Sequence, residues 1–224
     1  MKLIVQLVIS SVFGIVFVGA LLFGPAGTFD YWQAWVFLAI FSALTTVPNL
    51  YLARRRPEVL RRRMRAGPTA ERRPAQRFAS IGYLSVFVLV AVISALDHRL
   101  GWSTVPTAVV LLGQVLVAVG LGIAMSVILL NRYAAATVTI ESDQQLVSTG
   151  WYAVVRHPMY FGVLIMFVGS PLALDSLWGL AVLVPGLVVF AVRILDEEKL
   201  LREELSGYRE YTEKVRYRLL PYVW

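Results

Sequence analysis

The sequence contains no cysteine in its 224 residues. Disulfides, thiolate metal sites and cysteine nucleophiles are therefore excluded. Histidine is nearly as scarce. The two present, His98 and His157, argue against a multi-histidine metal centre, and no metal is expected. Charge is also sparse: charged residues make up 16%, against about a quarter in a soluble domain. What replaces it is apolar, at 58% of the chain. That balance describes an integral membrane protein. One bundle can absorb the whole length, so a single integral membrane domain over 1–224 is expected. The net charge of +7 reads as membrane topology rather than as a nucleic-acid surface, and no nucleic-acid partner is expected.

A transmembrane helix needs about 20 apolar residues. Leu3 to Phe23 is the first candidate. Lys2 and the small residues after it resemble a signal peptide, but its length and the spans beyond it favour an uncleaved helix. Tyr31 to Ala53 is the second, with Trp32 and Trp35 as interface anchors. Ala79 to Leu96 and Val105 to Leu130 are the third and fourth. In the fourth, Gly113, Ala118, Gly120, Gly122 and Ala124 form small-xxx-small pairs suited to close helix packing, or to lining a groove. Met159 to Ala191 is short for two spans and a turn. Ser170-Pro171 and Asp175-Ser176 break it, and Pro185 is a candidate kink. The expected fold is an all-α polytopic membrane bundle of about six transmembrane helices. It ends in a helical hairpin and a charged extension. Residues 1–130 supply four helices, and 131–224 the cofactor-binding and catalytic region.

Basic residues orient the bundle. Arg54, Arg55, Arg56, Arg61, Arg62, Arg63, Arg65, Arg72, Arg73 and Arg77 follow the second span. Arg132 and Arg156 follow the fourth, and Arg193 to Arg218 the last. With six spans these clusters share one side, which the positive-inside rule makes cytoplasmic together with both termini. The cell inner membrane is the expected compartment. The Arg54–Arg77 run reads first as a topology signal and second as an anionic-lipid contact.

Two polar segments lie on that face. One is Asn131 to Arg156, with Thr137, Val138, Thr139, Ile140, Glu141, Asp143 and Gln144. The other is Leu195 to Trp224, where acids alternate with Leu200, Leu201 and Leu205 at helical spacing and Gly207 is a stop. Between them stands Gly150-Trp-Tyr-Ala-Val-Val-Arg-His-Pro-Met-Tyr-Phe-Gly162. Arg156 can grip a carboxylate with two hydrogen bonds. His157 can donate or accept near neutrality. Pro158 suits the first turn of a helix. Tyr160 brings a ring and a hydroxyl, and Glu197 and Glu198 can take amines, ribose hydroxyls or cations. The plainer reading makes Arg156-His157 an interface anchor. It makes Arg193–Glu197 and Glu198–Arg202 solvated i,i+4 pairs, and Tyr208 and Tyr211 interface aromatics.

The pattern Gly150-x-Tyr152-x-x-Val155-Arg156-His157-Pro158-x-Tyr160-x-Gly162, then Glu197-Glu198-x-x-Leu201, Tyr208-x-x-Tyr211 and Arg218-x-x-Pro221, resembles the isoprenylcysteine carboxyl methyltransferase family, related to the membrane phospholipid methyltransferases. The resemblance covers roughly Asn131 to Pro221. It implies S-adenosylmethionine as methyl donor, with Gly150, Tyr152, His157, Tyr160 and Glu197 around it and Arg156, Glu197 and Glu198 serving catalysis. The acceptor implied is lipophilic, an isoprenylcysteine-type carboxylate or a phospholipid amine, and membrane lipids are the other partners. Two positions depart from the family pattern. Trp151 stands where proline is common, and Leu205-Ser-Gly-Tyr208 is one residue shorter than the usual Phe-Gly-x-x-Tyr. No glycine-rich turn follows a strand, which argues against a Rossmann methyltransferase. Two other readings compete. One is an NADPH-dependent sterol-reductase-like enzyme, faintly suggested by Val215 to Tyr222. The other is a non-catalytic membrane scaffold or lipid-binding protein working through Arg54–Arg77.

Overall fold

The computed structural model describes every residue except 1, 65, 72, 132, 134–136, 139 and 141–143. Arg65, Arg72, Arg132, Thr139, Glu141 and Asp143 thus lie outside the described residues. Among those described, all regular structure is helical. The elements are α1 (Lys2–Ala26), α2 (Trp32–Arg55), α3 (Pro57–Met64), α4 (Pro74–Leu100), α5 (Thr107–Leu130), a 3-10 turn (Gly150–Ala153), α6 (Pro158–Ala173), α7 (Trp178–Ala181), α8 (Leu183–Glu204) and α9 (Tyr208–Lys214). This is a polytopic helical membrane bundle. Five segments are long and apolar enough to cross a bilayer: α1, α2, α4, α5 and α7–α8 together. The remaining apolar helix, α6, has 16 residues. At 1.5 Å per residue it is about 24 Å long, short of a 30 Å hydrocarbon core. The outer face of α1 exposes Val5, Val8, Ile9, Val12, Phe13 and Val16, as a lipid-facing helix does.

The small residues of α5 meet those of α6. A Cβ added to Gly120 would lie 2.5 Å from the Gly162 carbonyl oxygen, and one added to Gly113 would lie 2.3 Å from the Ala173 nitrogen. Gly162 and Gly169 are equally crowded by α5. Gly113 and Gly120 of this stripe therefore pack backbone on backbone against α6. Gly122 faces open space.

At the hairpin turn, buried Asp97 accepts hydrogen bonds from the Ser103 hydroxyl at 2.6 Å, the Ser103 amide at 2.7 Å and the Ser176 hydroxyl at 2.7 Å. Asp175 accepts from the Val105 amide at 2.7 Å and from Gln33 at 3.2 Å. These bonds tie the turn after α6 to α2 and to the connection between α4 and α5. Pro185 does not kink a helix. The break falls at Val182, and Pro185 stands in the first turn of α8, where its missing N–H costs nothing.

At the opposite, basic end α3 is an element not expected from hydropathy. Pro57 opens it, Glu58 favours its positive N-terminus, and Val59 and Leu60 are buried with Leu7, Leu52 and Ile128. The helix α8 runs past its apolar part to Glu204, as its spacing predicts.

The α5–α6 contact generates a paired prediction. Gly162→Val should lower the unfolding temperature sharply or prevent folding, because overpacking against backbone costs at least about 1–3 kcal/mol. Gly122→Ala should leave it unchanged. Thermal unfolding of both variants in detergent checks this.

Candidate active site

The chain enters α6 through a short, tightly bonded segment. Gly150 has φ +63°, a conformation open mainly to glycine, and starts the 3-10 turn carrying Trp151 and Tyr152. Trp151 donates to the Ser126 hydroxyl at 2.9 Å, tying the turn to α5. Pro158 is the first residue of α6, so Arg156 and His157 fall just before the helix. Their amides donate to the carbonyls of Tyr217 and Arg218, each at 2.9 Å. Tyr211 donates to the Tyr152 carbonyl at 2.7 Å. The loop and the C-terminal tail thus meet over the open end of the hairpin.

Under this junction lies Glu198, completely buried. The Arg156 Nε stands 2.8 Å from its Oε1, a close ion contact off the line of a hydrogen bond. His157 Nε2 is 3.4 Å from the same oxygen. The Arg202 Nη2 and Arg218 Nε donate to Oε2 at 2.9 and 3.1 Å. One carboxylate therefore binds the start of α6, the body of α8 and the tail. A carboxylate so enclosed needs these cations, since an unpaired buried charge is strongly unfavourable.

A second network crosses the bundle beside it. Tyr160 donates to Glu197 Oε2 at 2.6 Å and accepts from Arg193 Nε at 2.9 Å. Arg193 also reaches Glu71 at 3.2 Å and the Ser80 hydroxyl at 3.1 Å. The His157 and Tyr160 rings stack, with centroids 5.6 Å apart. Arg73 holds Asp196 with two bonds of 2.6 and 2.9 Å, fixing the start of α4 to α8.

These residues surround a cleft of about 880 Å³, partly open to solvent. Of the residues expected at a site, Tyr152, Arg156, His157, Tyr160 and Glu197 line it. Tyr208 and Tyr211 line it too. Gly150 and Glu198 do not: the first shapes the turn, the second lies behind Arg156. Burial raises the Tyr152 phenol to about 12, with Asn131 opposing and Glu197 adding to the shift. Burial also raises Tyr208 and Tyr211. All three remain protonated donors at neutral pH. The Tyr208 hydroxyl is buried without a hydrogen-bond partner among the described residues. Sequence reasoning missed Glu71 and Arg193 as site supports. The available signal was that Glu71 is one of two acids, with Glu58, in the basic 54–77 run.

Next to the cleft runs an apolar groove of about 1020 Å³, walled by Phe41, Tyr83, Phe87, Val163 and Phe167 among others. Cleft and groove share Met159, Tyr160 and Arg193.

The fold and cleft together define a helical membrane protein with a polar site at its basic end. Residues 108–206, from α5 to just past α8, match the family model of the phospholipid methyltransferases. Over 95 residues the chain is 35% identical to the Delta(14)-sterol reductase of Mus musculus, an alignment covering 39% of this chain and 22% of that protein. The chain thus resembles that family over α5 to α8 and spans about a fifth of the length of the curated relative it matches.

Removing the central carboxylate tests the architecture. Glu198→Ala should destabilise the protein by about 3–5 kcal/mol, the cost of breaking a buried pair. Arg202→Ala should cost less than about 1 kcal/mol, because that side chain is 40% exposed. Chemical unfolding followed by tryptophan fluorescence gives the ranking.

Proposed function

We propose that this protein is an S-adenosylmethionine-dependent methyltransferase of the membrane that acts on a lipophilic acceptor. The observation that carries this reading is the polar cleft adjoining the apolar groove, with Tyr160 in the wall of both. A polar donor and an apolar acceptor need such a meeting point. The resemblance of the Arg156-His157-Pro158 and Glu197-Glu198 elements and the family match to residues 108–206 support it.

The cleft residues fit the donor chemically. The unpartnered Tyr208 hydroxyl and the Tyr152 phenol offer donors, and Glu197 can accept from a ribose or an ammonium group. The stacked His157 and Tyr160 rings present an aromatic surface suited to an adenine or a sulfonium. When bound, S-adenosylmethionine supplies an electrophilic methyl group on a positively charged sulfur. The protein's own part is alignment of the two reactants. Arg156 is a positioning residue in this scheme, because Glu198 already engages its guanidinium. A carboxylate acceptor requires no base. For an amine acceptor Glu197, held through Tyr160, is the group placed to take the proton. The positive-inside rule puts this end of the bundle in the cytoplasm, where the soluble donor is.

The 35% identity to a sterol reductase favours a second reading, an NADPH-dependent reductase using the same cleft. Calorimetry on the purified protein separates the two. S-adenosylhomocysteine should bind saturably and NADPH should not. Glu197→Gln should weaken that binding or slow methyl transfer at least tenfold, since a hydrogen bond to a charged group is worth about 1.5–3 kcal/mol. Saturable NADPH binding without S-adenosylhomocysteine binding would transfer the assignment to the reductase.

A further inference from the structure

A second polar cavity, of about 710 Å³, opens between α1, α2 and α3, separated from the apolar groove by Phe41. Its polar lining is Ser10, Ser11, Ser42, Thr46, Asn49 and Arg63. Three of their atoms, Ser42 Oγ, Asn49 Oδ1 and Arg63 Nε, are buried without a hydrogen-bond partner among the described residues. The Thr45 hydroxyl, by contrast, is occupied by the Phe41 carbonyl at 2.7 Å. Orphaned buried polar atoms converging on one cavity are costly unless a ligand or water completes them.

The guanidinium decides the charge of that ligand. No carboxylate pairs with Arg63 among the described residues, and the acid on its own helix, Glu58, is exposed. Arginine keeps its proton under nearly all conditions, so a half-buried one whose Nε is fully enclosed calls for an anion. The serine hydroxyls can donate to the same anion, and the Asn49 amide can turn its NH2 toward it.

The surroundings decide what carries the anion. Leu7, Ile15, Phe41 and Leu60 share the walls with the polar groups. The outer face of α1 is apolar and lipid-facing. The helix α3 follows a membrane-spanning helix and carries Arg61, Arg62 and Arg63, and basic residues at such a place attract anionic lipid. An amphiphile can enter from the bilayer with its tail along α1, whereas a free ion would have to leave water for a half-apolar wall.

We propose that this cavity binds the phosphodiester headgroup of an anionic phospholipid, with Arg63 as its counter-ion and Ser42 and Asn49 as its hydrogen-bonding partners. The site is separate from the cleft and does not depend on the reaction run there.

Binding of dihexanoyl phosphatidylglycerol, dihexanoyl phosphatidylcholine and inorganic phosphate to the full-length protein in detergent tests this, with calorimetry as the readout and circular dichroism as the folding control. Phosphatidylglycerol should bind saturably and at least tenfold more tightly than phosphatidylcholine, and inorganic phosphate should not compete. Arg63→Gln should weaken phosphatidylglycerol at least tenfold, and Ser42→Ala several-fold. Arg61→Gln, an exposed arginine on the same helix, should bind as wild type does. The proposal is overturned if Arg63→Gln and Ser42→Ala both bind normally, or if Arg61→Gln loses as much as Arg63→Gln. Equal binding of the two lipids, or competition by phosphate alone, also overturns it.

Discussion

The buried carboxylate of Glu198 is the contact on which the basic end of this protein depends. Arg156 and His157 reach it from the entrance of α6, Arg202 from its own helix and Arg218 from the tail. Without it, cationic groups from separate chain segments would repel one another beside a cleft. With it, Arg156 and His157 line that cleft while Arg202 and Arg218 hold the other oxygen of the carboxylate. The tail then closes over the loop through the Tyr217 and Arg218 carbonyls and the Tyr211 hydroxyl. A charged cluster in a membrane protein is expensive and is kept where it shapes a site. Glu197, one residue before Glu198, lines the cleft instead and accepts from Tyr160.

The other half of the site rests on backbone contact. Glycines of α5 and α6 let the two helices approach until a single Cβ would collide with a carbonyl. The hairpin turn is tied to the connection between α4 and α5 by Asp97, which accepts from Ser103 and Ser176, and by Asp175, which accepts from the Val105 amide. The position of α6 is thereby fixed at both ends, and with it Tyr160. That side chain stands between cleft and groove, bonded to Glu197 on one side and Arg193 on the other. Arg193 is held in turn by Glu71, from the connection between α3 and α4.

Much of this was legible in the residues. The apolar runs marked the spans, Pro158 marked the start of α6, and the small-residue spacing of α5 marked a tight helix contact. The meeting of the Gly150–Tyr160 and Glu197–Tyr211 segments followed from charge-based topology. Other features depended on tertiary contact. The helix α3 is polar by composition and forms through Val59 and Leu60, which bury against distant Leu7 and Ile128. Glu197 and Glu198 are indistinguishable as neighbours in sequence. Only the roughly 100° turn per residue of a helix, set against the surrounding arginines, sends one to the cleft and the other behind it. Arg193 read as half of an i,i+4 pair, but its guanidinium reaches Tyr160 and Glu71 instead, because burial rewards the better-enclosed partners. The shortness of α6 was legible too: Ser170-Pro171 and Asp175-Ser176 marked the break, and the helix ends at Ala173.

Methyl transfer at the junction of cleft and groove is the function proposed for this site. The most direct measurement is incubation of membranes containing the protein with S-adenosylmethionine labelled in its methyl group, followed by solvent extraction and identification of the labelled species. Label is expected in a lipophilic product, in amounts that follow the protein and fall in Glu197→Gln. The proposed function is contradicted if no extractable product gains label while the same membranes oxidise NADPH in a manner that depends on the protein.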